Sequence, residues 1–135
     1  MPKQHADLVI VVGDRVAAFE RTTGRLAWRY DPNVRAIHRF AIHGDRVFLL
    51  DYRGVIHCLV QSSGELIGTV DLKLKKGHAL LPDGEALIVV GDREVIAIDL
   101  QGKPLWRQSH EMGADWGLLG VGARDSVLQP DYSRD

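Results

Sequence analysis

One pattern of strand, turn and glycine is written three times along this chain. The copies read RVAAFERTTGRLAWRY (Arg15 to Tyr30), VIHCLVQSSGELIGTV (Val55 to Val70) and VIAIDLQGKPLWRQ (Val95 to Gln108). Their turn glycines are Gly24, Gly64 and Gly102, so the spacing is 40 and then 38 residues. A unit of this length cannot bury its apolar faces alone. It becomes stable by stacking on copies of itself.

Each copy resolves into strands that we call a to d. Strand b is the most apolar: LVIVVG (Leu8–Gly13), RVFLLD (Arg46–Asp51) and ALIVVG (Ala86–Gly91). Short β-branched runs of this kind predict strands buried on both faces. Turn signals follow at Asp14-Arg15, at Asp51 to Gly54 and at Asp92-Arg93. Strand c is VAAFE, VIHCLV and VIAID, and strand d is RLAWRY, ELIGTV and KPLWRQ, with Pro104 tolerated on an outer edge. The c–d turns RTTG, QSSG and LQG predict positive φ at their glycines. Strand a is present twice, as HRFAIHGD (His38–Asp45) and HALLPDGE (His78–Glu85), which superpose at a shift of 40 residues. The first copy has only MPKQHA before its strand b. A spare strand-like stretch follows the third copy at Trp116–Gln129.

Four strands in about 40 residues are the measure of a β-propeller blade. The chain is therefore expected to be all-β and a single domain, 1–135. Blade one lies at about 7–31, blade two at about 38–72 and blade three at about 78–110, with an exchange strand at about 116–129. No window carries the apolar spacing of a long helix. At 45% apolar and 26% charged, the composition is that of an ordinary globular domain, and a net charge of −1 gives no pull toward nucleic acid or an anionic membrane. The apolar run before Gly13 is too short for a signal peptide, and no run of about 20 apolar residues occurs, so a cytoplasmic location is expected.

The repeat resembles that of the quinoprotein-like β-propellers, whose blades read roughly G-x-V-Y-A-L-D-x-x-T-G-x-x-x-W. RVAAFERTTGRLAW ends in Gly24 and Trp28, and EVIAIDLQGKPLW ends in Gly102 and Trp106. The middle copy keeps Gly64 and puts Gly68 where the Trp belongs. The resemblance implies a structural role for Trp28 and Trp106, docked between blades. The family includes alcohol dehydrogenases that use pyrroloquinoline quinone and an outer-membrane assembly lipoprotein. The dehydrogenases need a full ring and a metal site of Glu, Asn and Asp, which has no counterpart here, so that activity is not carried over.

No other pattern supplies a catalytic site. His38 and His78 repeat at blade spacing, and duplication of the blade explains them as well as a metal would; His5, His43, His57 and His110 lack ligand spacing. Asp14, Asp51, Asp92 and Asp99 sit at turns, where carboxylates hold backbone N–H groups. Thr22-Thr23 and Ser62-Ser63 lie in matching hairpin turns without a nucleophile elbow. GVGARD (Gly120–Asp125) lacks the Lys-Ser/Thr of a phosphate loop, and KLKK (Lys73–Lys76) reads as a solvated loop. Cys58, the sole cysteine, reads as a small buried apolar residue. No enzyme activity, cofactor, metal, nucleic acid or membrane partner is expected.

Three blades cannot close a ring whose usual size is about 4–8 blades. The expectation is a homodimer of six blades closed by strand exchange, with Trp116, Leu118 and Leu119 of one chain covering Leu8 and Ile10 of the other. Its expected role is a binding or scaffold module for a protein partner. The alternatives are a half-propeller that takes a small ligand or cofactor at its channel, and a piece of a longer propeller.

Overall fold

The computed structural model describes residues 7–32, 37–74, 79–112, 121–123 and 126–128; the side chains of His38, 121–123 and 126–128 lie outside that description. The described residues form thirteen strands and no α-helix. Blade one is a three-stranded meander of β1 (Leu8–Val12), β2 (Val16–Glu20) and β3 (Leu26–Tyr30). Blade two has β4 (Ile37–His43), β5 (Arg46–Asp51), β6 (Val55–Val60) and β7 (Leu66–Asp71). Blade three has β8 (Ala79–Asp83), β9 (Ala86–Val90), β10 (Glu94–Asp99) and β11 (Pro104–Ser109). Every pairing within a blade is antiparallel between neighbours in sequence. Each of the three sheets draws its strands from one copy of the repeat.

The c–d hairpin is the most regular part of the repeat. Gly24, Gly64 and Gly102 take φ of 75°, 77° and 87°, as the turn requires. The first two turns share their bonds: Glu20 N to Arg25 O and Gly24 N to Glu20 O, then Val60 N to Glu65 O and Gly64 N to Val60 O. The third is one residue shorter and closes with Asp99 N to Lys103 O and Gly102 N to Asp99 O. A bulge in strand d recurs in each copy, its extra residue being Ala27, Ile67 and Leu105, opposite Ala18/Phe19, Cys58/Leu59 and Ala97/Ile98. Residues opposite one another in these ladders share a face. The row facing the next blade is Ile10, Ala18, Trp28 in blade one and Ala41, Phe48, Cys58, Gly68 in blade two.

Two apolar layers join the three sheets. Leu8, Val16, Ala18 and Trp28 of blade one pack on Val47, Leu49 and Leu59 of blade two. Phe48, Leu50 and Ile56 of blade two pack on Leu80, Leu87, Val89, Ile96 and Ile98 of blade three, with Leu72 and Leu74 of the connection closing one end. The expectation that strand b is buried on both faces holds for β5 and β9 but is corrected for β1. There Val9 and Val11 are 47% and 53% exposed, because among the described residues no sheet packs on that side of the first blade. The last blade's outer face carries a third cluster, Ala79, Leu81, Ile88, Val90 and Ala97.

The expected exchange strand at 116–129 takes another form where it is described. Residues 121–123 (β12) and 126–128 (β13) make a short antiparallel hairpin that lies beside β8 of the same chain. Trp116, Leu118 and Leu119 fall outside the described residues, as do His5 and His78.

Candidate functional site

The chemistry-bearing side chains collect at the two junctions between blades. At the first, Trp28 lies on the c–d turn of blade two. Its indole N–H donates to the Gln61 carbonyl at 2.7 Å, and its ring covers the bare Cα of Gly64 so closely that a Cβ there would lie 2.5 Å from ring carbon Cδ2. The turn is held to receive it. Gln61 Nε2 donates to the Gly44 carbonyl, while the Ser62 amide and hydroxyl both donate to the Asp45 carboxylate.

Deeper in the same junction runs a buried polar chain. Asp51 and His57 are 1% and 6% exposed, and Asp51 Oδ2 meets His57 Nε2 at 2.9 Å. Asp51 Oδ1 accepts the Arg53 and Val55 amides, so one carboxylate both closes the b–c turn and orients the imidazole. With that carboxylate ionised, Nε2 carries the proton, and His57 Nδ1 accepts from the Tyr30 hydroxyl at 3.1 Å. The order carboxylate, imidazole, hydroxyl is that of a nucleophile relay. The terminal hydroxyl is ill suited to attack, because burial, and then the Asp51 charge, push the Tyr30 phenol above its ordinary value. The chain serves as a latch from β3 of blade one to β5 and β6 of blade two. Sequence reasoning placed Asp51 correctly at a turn and missed its pairing with His57. The signal for it was a carboxylate ending one strand and an imidazole six residues on, across a tight turn.

The second junction is built differently. Gly68 stands where Trp28 stands, and a Cβ added to it would meet nothing within 4 Å. A cavity of about 240 Å³ opens there, walled by Phe48, Ile56 and Cys58 on blade two and by Leu100 to Gly102 on blade three. Val70, two residues beyond Gly68, takes over the contact with the turn and lies against the bare Cα of Gly102. Arg46 reaches the Cys58 thiol from the side. Burial pushes that thiol up from its ordinary value, against the weaker downward pull of the arginine. Arg107 of β11 bonds the Leu72 carbonyl at 2.6 Å and pairs with Glu94, fastening blade three to the connection that precedes it. Cys58 is thus half-buried in a cavity wall rather than sealed in a core.

Other candidates from the sequence are placed as turn or surface groups. Asp99 Oδ1 accepts the Gln101 and Lys103 amides. Thr23 and Ser63 accept the amides two residues on. His110 Nε2 lies 3.0 Å from the Gly91 carbonyl. Among the described residues, no three His, Cys, Asp or Glu side chains converge as metal ligands. Leu8 and Ile10 point toward blade two, and it is Val9 and Val11 that face outward. Trp106, the repeat partner of Trp28, is 45% exposed, and the turn at Gly24 has open space where Gly64 has an indole.

Known proteins share this architecture. The sequence profile of the family described as outer membrane protein assembly factor BamB matches residues 12–131, and the chain belongs to that family. No curated protein matches. Among solved structures, BamB from Moraxella catarrhalis superposes with a TM-score of 0.65 at 18% identity, over 91% of this chain and 39% of that one. The quinohemoprotein alcohol dehydrogenase ADHIIG from Pseudomonas putida HK5 gives 0.63 at 19% identity, over 79% of this chain and 20% of that one. A europium-containing methanol dehydrogenase gives 0.61 at 15% identity, over 79% and 24%. This chain therefore spans about two fifths of the length of that BamB, and the likeness is one of fold: a PQQ-type β-propeller.

Proposed function

We propose that this member of the BamB family is a non-catalytic propeller scaffold that pairs with a second copy of itself and binds a protein partner. The observation that carries the pairing is the state of the two ends. Inside the chain, a Trp four residues after one turn glycine docks on the next turn glycine. At the last blade that Trp, Trp106, is exposed; at the first blade the receiving turn, at Gly24, is open and flanked by the exposed Val9 and Val11. The two ends are the two halves of one lock. Head-to-tail contact about a two-fold axis would engage both locks at once and close six blades, within the usual ring size of about 4–8. Residues 116–120 of each chain, which precede the β12–β13 hairpin, would then add an innermost strand to the three described strands of blade one, with Trp116, Leu118 and Leu119 buried at the seam. The partner-binding part of the reading is supported by the name of the family and of its solved member, an assembly factor.

Native mass measurement at micromolar concentration tests this reading. The expected result is a dimer that Trp106→Ala converts to a folded monomer, and that deletion of residues 114–135 converts to aggregate. A wild-type monomer at that concentration would refute the closed ring.

A further inference from the structure

We propose that the cavity at Gly68 is a binding site for an indole-type ring, a planar bicyclic aromatic carrying one N–H donor. This site is independent of any pairing of the chain. Two copies of one piece of architecture differ in what fills them. At the first junction the space between strand d and the next c–d turn is filled by an indole whose N–H bonds the backbone carbonyl of Gln61. At the second junction the repeat omits the indole, Val70 takes its contact with the turn glycine, and a space of about 240 Å³ is left beside it. That exceeds the volume of about 150 Å³ at which a dry apolar cavity takes up benzene.

The walls fit such a ring. Phe48, Ile56 and Leu100 offer apolar contact, and the Arg46 guanidinium lies among the lining groups, where it can meet a π face. The counterpart acceptor is the Leu100 carbonyl. Leu100 follows Asp99 as Gln61 follows Val60, each the first residue of a turn that closes on its glycine, and the third turn is one residue shorter. Gly68 keeps the entrance clear: it has no Cβ and its φ is not positive, so the repeat's own Trp could stand there without backbone strain. Val70 spans to Gly102 and holds the junction together in the absence of a docked side chain.

Cys58 gives a direct readout, since it lines the cavity and is the only cysteine in the chain. The full-length protein is treated with iodoacetamide at pH 8.5, with and without free indole. Indole at millimolar concentration should slow alkylation of Cys58 at least fivefold, saturably, and N-methylindole should protect about tenfold less well because it cannot donate to the carbonyl. Gly68→Trp should fill the site, leaving Cys58 slow to react with or without indole and raising the unfolding temperature. Should that variant fail to fold, Gly68→Leu makes the same test of occupancy. N-acetyltryptophanamide distinguishes the sources. Protection equal to that of indole assigns the ring to a polypeptide side chain, and protection by indole alone assigns it to a free small molecule. Alkylation unaffected by indole up to its solubility limit, or equal protection by indole and N-methylindole, would overturn the assignment.

Discussion

The two junctions in this chain are made from the same repeat and solve the same packing problem by different means. The first is locked: an indole on a bare glycine, a carbonyl taking its N–H, and a buried Asp51–His57–Tyr30 chain behind it. The second has lost the indole, has no such polar chain among its described residues, and leans on an apolar layer from Phe48 to Ile98 with Val70 bridging to the glycine turn. Among the described residues blade one has three strands, so its own sheet buries little without blade two. The stronger lock sits where the weaker blade has to be held. The second junction joins two four-stranded blades and tolerates an unfilled space.

The sharpest way to break this comparison is to change the same repeat position in both places. Trp28→Ala should cost about 3–5 kcal/mol, the range for removing a large buried aromatic. Gly68→Ala should cost nothing measurable, since its Cβ meets no atom. Urea unfolding reads both, and equal costs would mean that Trp28 does not lock the first junction. The turn glycines come next. Gly64→Ala should cost about 3 kcal/mol, because it combines left-handed strain with a Cβ driven into the Trp28 ring. Gly24→Ala carries only the strain, about 1 kcal/mol in the isolated chain. Gly102→Ala should fall between them, because the Val70 methyl it meets can rotate away. Third in size is the latch: Tyr30→Phe removes one hydrogen bond to His57 and should cost about 1 kcal/mol.

What could be read in the sequence follows from what repeats. The strands and the turn glycines are legible because each copy checks the others: Gly64 is recognisable as a turn because Gly24 and Gly102 flank the same pattern. The docking of Trp28 was legible from the family motif. Its receiver, the Gln61 carbonyl, is backbone and leaves no residue signature. The Asp51–His57–Tyr30 chain was not legible, because it occurs in one copy and joins positions in different blades. The exposure of β1 was missed for a related reason. Val9 and Val11 are the same residue types as in β5 and β9, and only the stack decides that they stay half exposed. The cavity could have been suspected from Gly68 alone, which breaks the repeat where an indole belongs, but its volume depends on how far Val70 lets the blades close.

The smallest expected effect is the one that treats the two junctions alike. Each carries one acid whose proton is held more tightly in the folded state. Burial is the main cause in both: for Tyr30 the Asp51 charge adds to it, and for Cys58 it outweighs Arg46. The unfolded chain, with ordinary values of 9.0 for the thiol and 10.0 for the phenol, gives up each proton first as pH rises. It then binds fewer protons than the folded chain, so unfolding becomes easier with increasing pH. The contribution is complete below the unfolded value of each group and is lost as pH climbs through its folded value. Urea unfolding between pH 8 and pH 11 should therefore show stability declining in two windows, one opening near 9.0 for Cys58 and one near 10.0 for Tyr30. Cys58→Ala should flatten the first window and leave the second, and Tyr30→Phe should do the reverse. If either substitution leaves its own window unchanged, that group is not held protonated by its junction, and the packing assigned to it there is wrong. If indole occupies the cavity, it buries Cys58 further and should widen the first window while leaving the second as it was, which makes the alkaline limb a second measure of which junction is closed and which is open.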